Sequence, residues 1–105
     1  MDISGKTVVV TGGASGIGAA IVRQAGEAGA RVCIADLNVD LAKTIAQEVG
    51  GIAVGCDVTK EGEIINAIGV AEAAYGPVDV FVSNAGLGRG DPSHAASASD
   101  EGMFM

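Results

Sequence analysis

The chain has few of the residues from which several kinds of functional site are built. It has no tryptophan, one tyrosine, one histidine and two cysteines, and aromatic residues make up only 3% of the sequence. A single histidine, His94, and cysteines without CxxC spacing exclude a zinc-type ligand cluster. Cys33 and Cys56 stand within apolar runs, so we expect buried free thiols in a reducing compartment. A disulfide between neighbouring strands is the alternative.

Basic residues are also scarce. Six Lys and Arg stand against thirteen Asp and Glu, which gives a net charge of −7 and a pI of about 4.3. General affinity for nucleic acid or for an anionic membrane needs cations, so both kinds of partner are excluded. A bound dinucleotide is not excluded, because backbone amides can hold its phosphates. No signal-peptide pattern or membrane-length apolar run is present, so we expect a cytoplasmic protein.

Small and β-branched apolar residues are abundant. Hydrophobic residues make up 49% of the 105 residues, mean hydropathy is +0.43, and there are 17 glycines. Such a composition is typical of strands that are buried on both faces of a parallel sheet. The length predicts one small domain.

Strand and helix signals alternate along the chain. Short apolar runs predict four strands, and apolar residues at helical spacing predict three helices between them. Strand–helix–strand units imply right-handed crossovers and a parallel sheet. We therefore predict an α/β, Rossmann-like three-layer fold with strand order 3-2-1-4, truncated relative to a full doubly wound domain. The predicted strands are residues 6–11, 31–35, 52–56 and 78–83, and the predicted helices are residues 16–28 and two segments capped by Asn38 and Thr59.

A glycine-rich segment joins the first predicted strand to the first predicted helix. Residues 11–18 read TGGASGIG. Glycines allow a sharp turn and a close approach of a phosphate, while the unpaired N–H groups at the helix start face its charge. The strand before the segment and the helix after it are the context that a nucleotide site requires. A structural turn that binds nothing is the alternative.

Each predicted strand ends in a polar or glycine-rich element, at the edge where open parallel sheets bind ligands. Asp36 follows Gly18 by 18 positions, close to the spacing of about 20 for the acid that binds an adenine ribose. A carboxylate there accepts bonds from ribose hydroxyls and repels a 2′-phosphate, which favours NAD over NADP. The neighbouring residues offer no cation, and Arg31 starts the strand at its opposite end. The alternative for Asp36 is a helix-capping aspartate.

Two further polar residues end predicted strands. Asp57 follows the third strand and either accepts a bond from the adenine amino group or caps the next helix. Asn84 leaves the fourth strand, where it ties that strand to its neighbour, contacts the cofactor ribose, or does both. Tyr75 ends the third helix, which predicts a packing role.

These motifs together resemble those of the short-chain dehydrogenases/reductases. Residues 11–18 resemble the family's TGxxxGxG signature, Asp57-Val58 matches its adenine-contact position, and Asn84-Ala85-Gly86 resembles the end of its NNAG motif. Ser83 departs from that motif, which usually has Asn there. The resemblance covers residues 3–84 and implies hydride transfer between NAD and an alcohol or ketone. The cofactor-binding residues predicted from the motifs and the resemblance are Gly12, Ser15, Gly16, Ile17, Gly18, Asp36, Leu37, Asp57, Val58, Asn84, Ala85 and Gly86.

The family's chemistry uses a Ser and a Tyr and Lys spaced YxxxK, which this sequence lacks. Its single tyrosine, Tyr75, is followed four positions later by Asp79. We therefore assign no catalytic residue and expect the 105-residue chain alone to be inactive. Residues 1–86 are predicted to form a dinucleotide-binding half-domain, and residues 87–105 a mobile loop and the start of a helix. A non-catalytic dinucleotide-binding or interaction module is the alternative, and an unprotected fourth strand predicts a homo-oligomer or marginal stability.

Overall fold

The computed structural model describes residues 2–14 and 16–84, in which four strands alternate with three helices. The loop predicted for residues 87–105 lies outside the described residues. The elements are β1 (Thr7–Thr11), α1 (Gly16–Glu27), β2 (Arg31–Asp36), α2 (Val39–Val49), β3 (Ile52–Gly55), α3 (Glu61–Tyr75) and β4 (Val80–Ser83).

The four strands form one parallel sheet in the order β3-β2-β1-β4, which confirms the predicted order. In the centre, Val9 lies opposite Cys33 on one side and Phe81 on the other. Every residue of β1 is buried. A strand covered on both faces needs an unbroken apolar sequence, which explains the β-branched run at the start of the chain.

Helices cover both faces of the sheet. Helices α1 and α2 pack on one face, where Val22 and Ile45 join Val10 and Ile34 in the larger core. Helix α3 packs on the other face, against the side of the sheet that carries Cys33. Both thiols are buried and free, as expected, and burial raises the pKa of Cys33 to about 11.

The predicted cap of α2 is confirmed and that of α3 is wrong. The N–H of Leu41 donates to Oδ1 of Asn38 at 3.1 Å, which caps α2. Helix α3 begins after Lys60, whose side chain makes no capping bond. Both the N–H and the hydroxyl of Thr59 donate instead to Oδ1 of Asp57, at 2.9 and 2.6 Å. These two bonds to a carboxylate two residues back hold Thr59 in the turn that precedes the helix.

Strand β4 forms an edge of the described sheet. It pairs with β1 alone, and α3 contacts the other three strands but not β4. Phe81 pairs with Val9 and so lies on the same face of the sheet as α3, which does not reach it, and it is 40% exposed. Tyr75 has the predicted packing role, since it is half-buried and its hydroxyl donates to the carbonyl of Val32 at 3.4 Å.

Candidate functional site

The described candidate residues gather at one edge of the sheet. The glycine-rich segment follows β1, Asp36 ends β2, Asp57 follows β3, and Asn84 follows β4. Parallel strands bring their carboxyl ends to the same edge, which explains the grouping. Three candidates lie outside the described residues, namely Ser15, Ala85 and Gly86.

The glycine-rich segment folds tightly against the first turn of α1. Gly12 has φ of +67°, a conformation that L side chains rarely adopt, and its N–H donates to the carbonyl of Ala35 at 2.8 Å. A Cβ on Gly18 would overlap the carbonyl oxygen of Gly12 and lie 2.5 Å from Nδ2 of Asn84. Only glycine at position 18 therefore allows this approach. Within the segment, Gly16 and Ile17 are exposed.

Asn84 ties β4 to β1 and to the glycine-rich segment. Its backbone N–H donates to Oγ1 of Thr11, and its Nδ2 donates to the carbonyl of Gly12, both at 3.0 Å. Oγ1 of Thr11 in turn donates to the carbonyl of Val82 at 3.3 Å. Asn84 is buried, and its Oδ1 has no hydrogen-bond partner within the described chain. The tie to the neighbouring strand is thus present, while the ribose contact stays a prediction.

Substitution of Asn84 by Asp is expected to destabilise the fold by about 2–3 kcal/mol. It removes the Nδ2 donor and places a buried carboxylate against the Gly12 carbonyl. Asn66→Asp is the control, because Asn66 is exposed on α3, and it should change the free energy of unfolding by less than about 0.5 kcal/mol. Urea unfolding measures both. If the two substitutions changed the free energy of unfolding equally, the stabilising role of the Asn84 bonds to β1 and the glycine-rich segment would be contradicted.

Asp36 holds both the glycine-rich segment and the turn that enters α2. Its Oδ2 accepts a bond from the N–H of Ala14 at 3.0 Å, and its Oδ1 accepts one from the N–H of Asn38 at 2.9 Å. It does not cap α2, which is the role of Asn38. Each carboxylate oxygen can accept more than one bond, so these contacts leave capacity for ribose hydroxyls. Leu37, the next residue, is 61% exposed beside it.

Asp57 is held by the start of α3. Its N–H donates to Oε1 of Glu63 at 2.7 Å, and its carbonyl accepts from the N–H of Lys60 at 3.0 Å. The N–H of Cys56 donates to the carbonyl of Asp36 at 3.0 Å, which joins the ends of β2 and β3. Asp57 and Val58 are both half-buried at this edge.

Sequence reasoning missed two contributors to the site. Glu63 stands three residues after the residue preceding α3, the spacing of a capping box, which could have indicated a capping glutamate but not its contact with Asp57. Ala14 contributes only its backbone N–H, which no side-chain pattern reveals.

Carboxylates give this edge of the sheet a negative electrostatic potential. Burial raises the pKa of the Cys56 thiol, and three nearby carboxylates raise it further, those of Glu63, Asp57 and Asp36. Over residues 2–14 and 16–84, no group of three or more His, Cys, Asp or Glu could hold a metal ion. In the same residues, no helix is long and apolar enough to cross a membrane.

Known proteins resemble this chain in sequence and in fold. The sequence profile of the family described as short chain dehydrogenase matches residues 6–103. Tropinone reductase-like 2 of Erythroxylum coca is 45% identical over 94 residues, which are 86% of this chain and 34% of that protein. The mitochondrial borneol dehydrogenase of Lavandula x intermedia is 40% identical over 95 residues, which are 90% of this chain and 36% of that protein.

A solved structure agrees in fold. The 3-ketoacyl-(acyl-carrier-protein) reductase from Brucella melitensis, complexed with NADH, matches with a TM-score of 0.72 and 31% identity. The match covers 75% of this chain and 33% of that one. The chain thus spans about a third of the length of the curated relatives that it matches.

Proposed function

Because the chain belongs to the short-chain dehydrogenase family, we propose that its carboxyl sheet edge binds NAD in preference to NADP. The observation that carries the proposal is the place of Asp36, whose carboxylate lies within 3.0 Å of the N–H of Ala14 in the glycine-rich segment. An acid there can bind the ribose hydroxyls of a dinucleotide whose pyrophosphate lies on that segment.

Each part of the cofactor has residues that fit it. The backbone of the glycine-rich segment and the N-terminus of α1 suit the pyrophosphate, because the close packing of Gly18 against Gly12 leaves the loop compact. Exposed Ile17 and Leu37 offer apolar surface to the cofactor, and Asp57-Val58 suits the adenine. When bound, NAD supplies the hydride chemistry, and this part of the protein binds and orients it.

The charges at this edge support NAD over NADP. Three carboxylates surround Cys56. An additional 2′-phosphate would meet their repulsion, and the described cation nearest in sequence to Asp36, Arg31, is engaged elsewhere. Its Nη1 donates to the carbonyl of Tyr75 at 3.1 Å, at the opposite end of β2.

We propose that the chain is the cofactor-binding portion of an oxidoreductase that transfers hydride between NAD and an alcohol or ketone. The packing of Tyr75 against Val32 supports our assignment of no catalytic residue to this chain. Purified chain with NAD and a panel of alcohols should give no NADH absorbance at 340 nm above a protein-free control. Turnover would contradict both the expected inactivity of this chain and the alternative of a non-catalytic module. Binding of NAD without turnover is the result that either interpretation expects.

Titration of isotopically labelled chain with NAD, followed by NMR, tests the location of the site. We expect the amide signals of Gly12, Ala14 and Asp57 to shift together. The amide signals of Gly69, within α3, and Gly76, just after its last residue, are internal controls and should not shift. Shifts that spare the glycine-rich segment would contradict the proposed site.

We also propose that the chain self-associates through the exposed edge of β4, as unprotected strands do. Phe81→Lys is expected to shift the chain towards monomer in sedimentation velocity, because it puts a charge on that edge. Ile65→Lys is the control, since Ile65 is 61% exposed on α3, away from the edge. A wild-type chain that is monomeric at all concentrations, with a sharp thermal transition, would contradict the proposal.

The proposed binding partners are the dinucleotide and a small alcohol or ketone. We propose no nucleic-acid or membrane partner, in keeping with the net charge of −7. The free, buried thiols of Cys33 and Cys56 support a reducing compartment, and we assign the chain to the cytoplasm.

A further inference from the structure

We infer that Glu63 is a positioning residue for adenine recognition: its carboxylate holds the Asp57 N–H and thereby helps to fix the backbone that carries the Asp57 side chain and leads into Val58. The inference rests on the proposed function, since it assumes a dinucleotide with its adenine at Asp57-Val58. Glu63 reaches back from the first turn of α3, and its Oε1 lies 2.7 Å from the Asp57 nitrogen. A bond of this kind to an ionised acceptor is among the stronger ones.

The contact differs from ordinary helix capping. In a capping box, a glutamate at this position accepts from the N–H of the residue that precedes the helix, here Lys60. The Lys60 N–H is already used, because it donates to the Asp57 carbonyl at 3.0 Å. Glu63 instead reaches three residues further back, to the strand exit at the sheet edge. Its reach therefore serves the site and not only the end of α3.

Glu63 and Lys60 together fix the two peptide groups that flank the Cα atom of Asp57, Cys56–Asp57 and Asp57–Val58, respectively. Glu63 holds the N–H of Asp57 and Lys60 holds its carbonyl. The described chain has no cis peptide bond, so the Val58 N–H points opposite to that carbonyl and is fixed with it. Thr59 restrains the Asp57 carboxylate through two bonds to Oδ1. A carboxylate acceptor and an N–H donor are thus held side by side.

That pair suits adenine and not hypoxanthine. The Watson–Crick edge of adenine presents an amino donor beside a ring-nitrogen acceptor, which complements a carboxylate and an N–H. Hypoxanthine presents an oxygen acceptor beside a ring N–H donor, so both bonds become mismatched. Preference for NAD over nicotinamide hypoxanthine dinucleotide therefore measures how well the Asp57-Val58 backbone is held.

Two substitutions separate the effect of the length of the Glu63 side chain from the effect of its charge. Glu63→Gln keeps an oxygen at the same reach and loses the charge, whereas Glu63→Asp keeps the charge and falls short of the Asp57 nitrogen. The controls are Glu61→Gln and Glu61→Asp, because Glu61 is an exposed acid in the same helical turn. All four variants keep a polar side chain in the first turn of α3, so we expect the helix content to be unchanged. Circular dichroism checks this.

Calorimetry with both dinucleotides tests the inference on the 105-residue chain. We expect the wild type and both Glu61 variants to bind NAD at least about tenfold more tightly than the hypoxanthine analogue, since one well-made bond alone contributes about that much. Glu63→Gln should retain most of that preference, and Glu63→Asp should reduce it to about twofold or less. Hydrogen exchange of the Asp57 amide, without ligand, should accelerate at least about tenfold in Glu63→Asp alone.

The outcomes distinguish this inference from the proposed function. If the wild type binds both dinucleotides equally, or Glu63→Asp keeps the wild-type preference, the role of Glu63 is overturned while dinucleotide binding stands. Loss of preference in Glu63→Gln as large as in Glu63→Asp would indicate a charge effect and would also overturn it. If the wild type binds neither dinucleotide, the proposed function fails and the inference fails with it.

Discussion

Replacement of Gly18 by alanine is expected to abolish measurable NAD binding and to destabilise the fold by about 3 kcal/mol, the upper end for overpacked sites. The added Cβ would overlap the carbonyl oxygen of Gly12 and crowd Nδ2 of Asn84, which is 2.5 Å away. Because the backbone of Gly12 cannot move aside as the end of a flexible side chain does, the glycine-rich segment must shift. The backbone amides that we expect to face a phosphate would shift with it. Calorimetry and urea unfolding measure the two effects.

Gly69→Ala is the matched control for that substitution. Gly69 lies within α3, where an added Cβ would meet nothing within 4 Å. Alanine in a helix interior is favoured over glycine, so this variant should be stabilised by about 0.5–1 kcal/mol and should bind NAD like the wild type. If Gly18→Ala also bound NAD normally, the contact between Gly12 and Gly18 would have no part in the site.

Replacement of Asp36 by alanine is expected to remove the discrimination between NAD and NADP. Bonds from ribose hydroxyls to a carboxylate contribute about 1.5–3 kcal/mol, so NAD binding should weaken about tenfold or more. NADP loses no such bond and escapes the repulsion of its 2′-phosphate. The ratio of the two Kd values should therefore fall from at least about tenfold to within about threefold of unity.

That ratio also corrects for the structural role of Asp36. The substitution frees the N–H groups of Ala14 and Asn38, which loosens the segment for both cofactors alike. Asp40→Ala is the control, because Asp40 is an exposed acid in the first turn of α2 and its loss changes the net charge equally. It should leave the ratio within about twofold of the wild-type value. Equal shifts in the two variants would mean that only net charge discriminates the cofactors.

The strand order could be predicted from the sequence because local signals and topology agree. Parallel crossovers have one hand, and a β-branched run such as that of β1 suits only a central buried strand. The grouping of Asp36 and Asn84 at one edge follows from the same topology. Periodicity and parallel connections determine which end of each strand a residue occupies, whatever its side chain does there.

The contacts within the site could not be predicted from the sequence. Thr59 was expected to cap α3, yet its N–H and hydroxyl both donate back to the Asp57 carboxylate, and the helix begins after Lys60. The bond from Ala14 to Asp36 uses a backbone N–H, which any residue but proline could supply. That bond depends on how the loops after β1 and β2 meet in space, and sequence spacing carries no information on that distance.

Titration of the 105-residue chain with NAD and, separately, with NADP tests the central claim most directly. The account predicts that NAD binds with a modest affinity and at least about tenfold more tightly than NADP, because Asp36 accepts bonds from free ribose hydroxyls and repels a phosphate. Binding of NADP as tight as that of NAD, or tighter, would contradict it.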